Sequence, residues 1–475
     1  MGFQFVLLPT DLLVFTLIVC AVFFVIQACK HAPSREAWRR VGRQPAAMAS
    51  AVVLSIFAVI GLMDSLHYRA QLPPVQGEHA GAQETAPVYS SEVLSVLDAL
   101  LTPLRIQTEK TYSAPFARES FQRETVEQAD GSQVRTTPRL VYGARHLQEG
   151  ESSLPDIVRR LAWTPLQALA VAGVFLCVLA VGVARRQGIG KVAAMRHILA
   201  GRVELAWRSA LVIAFLAALL LAAGVALAPH YHMLGTDKVG QDVLYLSLKS
   251  IRTGLVIGTL TTLIMLPFAV ALGIAAGYLG GWVDDAIQYL YTVLNSIPSV
   301  LLIAASVLMI QVMIDTHPQW FDTAAQRADA RLLALCAILG MTSWTGLCRL
   351  LRGETLKLRE LDYVQAARAF GASTVQILRR HILPNVMHIV LISVALDFSN
   401  LVLAEAVLSY INIGVDPATV SFGSMINAAR AELAREPVIW WSLAAAFGFM
   451  LTLVLAANLL ADAVRDAFDP RRQVG

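Results

Sequence analysis

The chain has 475 residues, of which 56% are hydrophobic and 15% charged, and its mean hydropathy is +0.59. Soluble domains carry about 25% charged and roughly 45–50% apolar residues, and disordered chains are more charged still, so both classes are excluded. The net charge of +4, from 38 basic and 34 acidic residues, is too small to point to nucleic acid.

The missing charge is missing in blocks. Nine apolar segments succeed one another, at about 11–29, 46–63, 163–183, 206–228, 252–279, 286–314, 332–351, 385–410 and 437–462. Most are long enough, at about 1.5 Å per residue, to cross roughly 30 Å of hydrocarbon. The first does not read as a signal peptide: no basic residues precede it, and its apolar core runs on through Val22-Phe23-Phe24-Val25-Ile26 into a basic stretch. Lys30, Arg35, Arg39, Arg40 and Arg43 lie between the first two spans, and Arg185, Arg186, Lys191, Arg196, Arg202 and Arg208 between the third and fourth. Arg349, Arg352, Lys357, Arg359, Arg368, Arg379 and Arg380 fill the loop near 349–383, and Arg465, Arg471 and Arg472 mark the tail. Nine spans with the amino terminus outside put all four clusters in the cytoplasm, as the excess of Lys and Arg on cytoplasmic loops requires. The turn Gly280-Gly281-Trp282-Val283-Asp284-Asp285 is the exception, cytoplasmic without a basic residue.

The pattern predicts four divisions: 1–63, two spans with a basic loop; 64–160, an insert on the opposite face; 161–205, a third span and basic linker; and 206–475, a core. In the insert, 71–87 reads as linker, 91–101 has helical apolar spacing, and 120–128 and 132–142 flank Ala129-Asp130-Gly131, a hairpin signal. Pro138 pushes the second strand to an edge. With few apolar residues the insert must lean on the membrane domain or a partner. The cysteines Cys20, Cys29, Cys177, Cys336 and Cys348 form no CxxC pair and read as apolar packing residues. His230 and His232 have the spacing of a metal pair but no third ligand, so an interfacial cluster is the better reading, and Trp440 and Trp441 read as interface anchors. Pro267 should kink its span.

The loop 353–384 is the most informative stretch. Asp362 with Gln365 reads as a capping box opening a short helix, Gly371 suits the left-handed position after it, and Ser373 repeats the box with Gln376. Pro384 marks the first turn of the next span. Two short helices thus meet at a glycine elbow on the cytoplasmic face. The small pair Ala366-Ala367 leaves room for close approach, so the elbow suits docking into a partner's groove.

QAARAFG followed by HILPN resembles the EAA loop of ABC importer permeases: Ala366, Ala367, Gly371, Ile382 and Pro384 match, with Gln365 in place of Glu. LGTDKVGQD (234–242) resembles the LGTDxxGRD element of dipeptide and oligopeptide permeases of the C-subunit type, with Gln241 where Arg is usual. Gly235, Thr236, Asp237, Gly240 and Asp242 match it. AGYLGGWVD (276–284), EAVLSY (405–410), Phe422-Gly423 and DAVRDAFDPR (462–471) fit further elements in family order. The resemblance covers 206–475 and leaves 1–205 outside.

The resemblance implies an all-α polytopic membrane protein with a type I importer core of six helices, here preceded by three additional spans and a small α+β periplasmic insert. It implies a bacterial inner-membrane location, a homologous second permease, an ABC ATPase docked on the loop, and a periplasmic solute-binding protein, for peptides or related small solutes. The amino terminus would be periplasmic and the carboxy terminus cytoplasmic. No G-x-x-x-x-G-K-[ST] phosphate loop occurs, and Gly190-Lys191 is followed by Val192. ATP and Mg²⁺ therefore belong to a partner subunit, and this chain is expected to hold no cofactor or metal and to have no catalytic residue. Asp397 and Glu405 are the candidate pathway-lining residues, because ionisable groups inside a membrane are costly; inter-helix or helix-end polar contacts are their alternative role. A membrane receptor or assembly protein using the insert, and an autonomous secondary transporter, are the competing readings. A Walker-motif ATPase and a second permease encoded alongside would separate the first from both.

Overall fold

The computed structural model describes residues 2–30, 32–72, 88–127, 133–148 and 151–468. Most of the expected linker at 71–87, the turn Ala129-Asp130-Gly131 and the end of the carboxy-terminal motif from 469 onward lie outside the described residues. The chain opens with α1 (Pro9–Lys30), α2 (Ala32–Arg43) and α3 (Pro45–Asp64). The insert carries α4 (Val96–Leu100), α5 (Thr102–Ile106) and α6 (Ser153–Leu161). Then come α7 (Thr164–Gln187), α8 (Lys191–Leu199), α9 (Trp207–Leu227), α10 (Val243–Leu279), α11 (Gly281–Ser296) and α12 (Ser299–Thr316). The remainder is α13 (Ala324–Arg359), α14 (Asp362–Ala369), α15 (Thr374–Ile377), α16 (Leu383–Tyr410), α17 (Phe422–Arg430) and α18 (Trp441–Phe468).

Eight helical runs among the described residues are long and apolar enough to cross a bilayer. The apolar part of α1, Pro9–Phe23, is shorter. Helices are what such segments must form, since lipid offers no partner for free backbone N–H and C=O groups. Two expectations need correction. The span expected at 286–314 is broken: α11 ends at Ser296, Ile297 is extended (φ −90°, ψ 130°), and α12 begins at Ser299. The cause is Pro298, whose ring disfavours helical geometry in the residue before it. The helix expected at 91–101 shortens to Val96–Leu100, because Ser95 and Asp98 form a reciprocal capping box that fixes its start. α10, by contrast, runs unbroken through Pro267.

Contacts divide the described chain into two compact units. The first holds residues 1–7, 42–253 and 420–456. In it β1 (Phe3–Val6) pairs antiparallel with β2 (His67–Ala70), and β2 with β3 (Leu94–Ser95). The strand that precedes α1 therefore lies beside the strand that follows α3, so the amino-terminal segment and the insert share a face. β4 (Glu124–Glu127) and β5 (Gln133–Thr136) form the expected hairpin, which stops before Pro138. α9 packs along α3 and α7. The second unit holds residues 8–41, 254–419 and 457–475. Its core is built around α13, with Leu335, Leu339 and Leu351 wholly buried, and α1 joins through Leu13 and Val14. Thr10 donates its backbone N–H to Asp329 at 3.0 Å, pinning the start of α1 to α13.

Candidate functional site: a glycine elbow and a buried clamp

The elbow forms as its residues dictate, with one difference. α13 ends at Arg359 and α14 begins at Asp362; the capping position is Leu361, which makes no side-chain cap. Asp362 is thus the first helical residue rather than the cap, favourable there for its negative charge near the helix N-terminus. Gln365 does not close a box either: its Nε2 donates to Glu360 Oε2 at 3.2 Å. Gly371 turns the chain at φ +79° with open space where a Cβ would lie, so its role is conformational only. Ser373 caps the next helix, its Oγ accepting from Gln376 N at 3.3 Å. A π-helical turn, Leu378–Ile382, leads into α16, with Pro384 in the first turn.

The two faces of the elbow differ. Val364, Ile377 and Ile382 are buried and Ala367 packs with them on the core around α13 and α16. Gln365, Ala366, Gly371 and Ser373 face outward. Phe370, which sequence reasoning treated only as helix, is 91% exposed. Tyr363 and Val375 are also exposed, as are Arg368, Arg379 and Arg380. The signal was an aromatic residue directly before the elbow glycine.

Beneath the elbow the 276–284 motif braces α13. Gly273 and Gly277 of α10 leave no room for a Cβ against Cys348 and Thr355. Asp284 accepts from Arg352 Nε at 2.6 Å and Nη2 at 2.7 Å, a bidentate pair joining α11 to α13.

The 234–242 element is the second candidate site, and it is occupied by this chain itself. Thr236, wholly buried, donates from Oγ1 to Thr111 O (2.9 Å) and accepts from Ser113 N (2.7 Å). Gly240 (φ +78°) sits against Glu109, whose backbone oxygen would lie 1.8 Å from any Cβ added there. Asp237 Oδ1 accepts from Val239 N and Gln241 N, closing the turn at 3.0 and 2.8 Å. Gln241 is exposed. Asp242 caps α10, taking Leu244 N at 2.8 Å on Oδ1, and its Oδ2 lies 2.8 Å from His232 Nδ1. On the other side of the imidazole Glu109 Oε1 lies 3.4 Å from Nε2. Glu109 also accepts the backbone N–H groups of Val141, Tyr142 and Gly143 at 2.8–3.0 Å.

Burial pulls the His232 imidazole down, but the carboxylates of Asp242 and Glu109 outweigh it and hold its pKa up at about 9. Burial raises Glu109, and His232 with the three N–H groups more than reverses this, to about 2. His232 is therefore an imidazolium between two carboxylates, whereas His230 joins a histidine–aromatic cluster, its ring centroid 4.9 Å from that of His146, which also packs edge-on against Tyr231. No group of three metal-ligating side chains occurs among the described residues. Trp441 is likewise no surface anchor: it is buried and donates from Nε1 to Thr236 O at 3.0 Å, while Trp440 is exposed. Lys249 adds a second tie, 2.8 Å from Asp98 of the insert and 3.3 Å from Asp64 at the end of α3.

Asp397 and Glu405 lie on α16 eight residues apart, about 12 Å along the axis. Glu405 is buried (1% exposed) and accepts from Ser409 Oγ at 2.6 Å. Asp397 is half-buried and makes no hydrogen bond or ion pair among the described residues.

Residues 269–474 match the family described as binding-protein-dependent transport system inner membrane component. An oligopeptide transport system permease protein of Mycobacterium tuberculosis is 31% identical over 239 residues, 50% of this chain and 76% of that protein. A dipeptide transport system permease protein of Lactococcus lactis is 31% identical over 240 residues, 50% of this chain and 64% of that one. A glutathione transport system permease protein of Pectobacterium atrosepticum is 31% identical over 240 residues, 50% and 73%. Among solved structures, an inward-facing MetNI methionine ABC transporter is 17% identical, covering 46% of this chain and 93% of that one with a TM-score of 0.33.

Proposed function

We infer from one premise, that this chain belongs to the family of binding-protein-dependent transport system inner membrane components, how it works as the membrane-spanning permease subunit of an ABC importer. The observation that carries the reading is the elbow: an inner face fixed to the core and an outer face, Ala366 and Phe370 above all, left bare. An ABC ATPase subunit docks there and holds the ATP and Mg²⁺. Gln365 keeps a polar contact at the surface where the family pattern carries a glutamate.

Closure of the ATPase pair pushes on 362–383. The elbow is continuous with α13 on one side and α16 on the other, so the push reaches both helices through Val364, Ile377 and Ile382 rather than through a slack loop. A homologous second permease completes the pathway, and the core alternates between discrete packings biased by ligand binding energy. The basic clusters support a cytoplasmic elbow and carboxy terminus. The amino terminus and insert then face the periplasm, where a solute-binding protein delivers its cargo.

The cargo is a peptide, the solute class in the names of the relatives. Asp397, an ionisable group in a membrane span with no partner among the described residues, lines the pathway and receives a cationic or amino group. Glu405 instead positions the end of α16 through Ser409. The test is co-expression with its ATPase, partner permease and binding protein. Deleting 362–376 should abolish ATPase co-purification and peptide uptake while the chain still inserts. Uptake that survives the deletion overturns the reading.

A further inference from the structure

α3, one of the spans that precede the core, and α9, the first helix of the core, meet along a seam that the transport reading does not use. α3 packs along α9, and where both helices begin there is an open cavity of about 640 Å³. Arg43, just before α3, and Arg208, in the first turn of α9, line its mouth; Pro45, Ala49, Val212 and Ile213 line its wall. Neither helix has a side-chain N-cap and neither carries an acidic residue in its first turn. Two uncapped helix N-termini and two guanidinium groups thus face one volume, the arrangement that attracts phosphate. One carboxylate, Glu204, lines the same cavity and lies 3.8 Å from Arg43. Arg208 is exposed and makes no ion pair among the described residues, so the mouth stays cationic.

The wall continues beyond the cavity. A second volume of about 540 Å³, lined almost wholly by apolar side chains, begins at the same Ile213 and follows the seam past Val53, Phe57, Leu216 and Leu220. Leu220 is 74% exposed, a bare apolar edge beside the groove. From Arg208 to Leu220 the helix rises about 18 Å, slightly more than one leaflet's half of a roughly 30 Å hydrocarbon core. A soluble phosphate would use the mouth and leave the groove empty; a neutral lipid would use the groove and bring no anion to the cationic mouth.

We propose that the α3–α9 seam is a binding site for an anionic phospholipid, its phosphate held at Arg43 and Arg208 and an acyl chain laid along the groove from Ile213 toward Leu220. Basic pockets between transmembrane helices at a membrane boundary recognise headgroups in this way. The site lies where an added span meets the first helix of the core, and it does not depend on which solute is carried or whether an ATPase docks.

Native mass spectrometry of the full chain, stripped of lipid in detergent and offered phosphatidylglycerol or phosphatidylcholine, tests it. One phosphatidylglycerol should be retained at least about tenfold more tightly than phosphatidylcholine, a difference near 1.4 kcal/mol. The double variant Arg43→Gln/Arg208→Gln should lose that preference. The single variant Arg208→Gln, at an exposed position, should weaken it with an unchanged melting temperature. Ala217→Trp, which fills the groove and leaves the charges in place, should lose the lipid as well. Equal retention of the two lipids, retention unaffected in Arg208→Gln and Ala217→Trp, or displacement by glycerol phosphate alone would overturn the proposal.

Discussion

The 234–242 clamp and the 362–384 elbow are both built on a short family motif with a glycine at positive φ, yet they end in opposite states. In the clamp the polar side chains that match the family motif are spent inside the chain: Thr236 on 111–113, Asp237 on its own turn, and Asp242 on His232 and α10, with Gly240 packed on Glu109. In the elbow Gly371 meets nothing, and Phe370, Ala366 and Gln365 point away from the core. Burial with satisfied partners is what a structural joint needs; an exposed apolar face beside arginines is what a docking surface needs. The motif residues alone do not distinguish these uses. Their neighbours do.

The largest effect should come from His232→Ala. It removes the cation between two buried carboxylates and leaves both with backbone N–H partners but no counter-charge, a loss of about 3–5 kcal/mol. Limited proteolysis should cut the insert in this variant while the residues at the elbow stay protected. Raising the pH is the milder form of the same test. His232 is held above its ordinary pKa, so its stabilisation is complete below about pH 6.5 and is lost as the pH rises through about 9. Glu109, held down to about 2, stays ionised across that range. Protection of the insert should therefore fall between about pH 7 and 10, and His232→Ala should show no such step.

Effects at the elbow should be smaller in stability and larger in function. Gly371→Val forces a β-branched residue to φ +79°, a strain of about 1–2 kcal/mol. Because no neighbour is touched, melting should shift little while uptake falls steeply; Gly371→Asn, tolerant of the left-handed region, should retain more. Ser373→Ala should be the mildest, costing about 0.5–2 kcal/mol of local helix stability, seen as faster amide exchange in Thr374–Ile377. A reversal of this order, with clamp variants impairing ATPase binding most, would break the comparison.

Much of this was legible in the sequence. Apolar runs, basic loops and the elbow's Gly371 and Ser373 follow from local rules, because helices in lipid satisfy their own backbone and glycine answers to its own φ. The clamp was not legible. Glu109, in an insert without apolar periodicity, and His232, in the segment before α10, are 123 positions apart, and ion pairing at that separation leaves no spacing to read. Trp441 was misread for the same reason: an interface tryptophan and one buried on Thr236 look alike until the partner is known. The break at Ile297 was readable from Pro298 but was hidden inside a long apolar run.

The most direct measurement places a photo-crosslinking amino acid at Phe370 in the chain co-expressed with its partner subunits. The predicted result is an adduct with the ATP-binding subunit, lost when that subunit is left out. Adducts only with lipid or with the second permease would contradict the claim that the bare face of the elbow is where ATP-driven motion enters this permease.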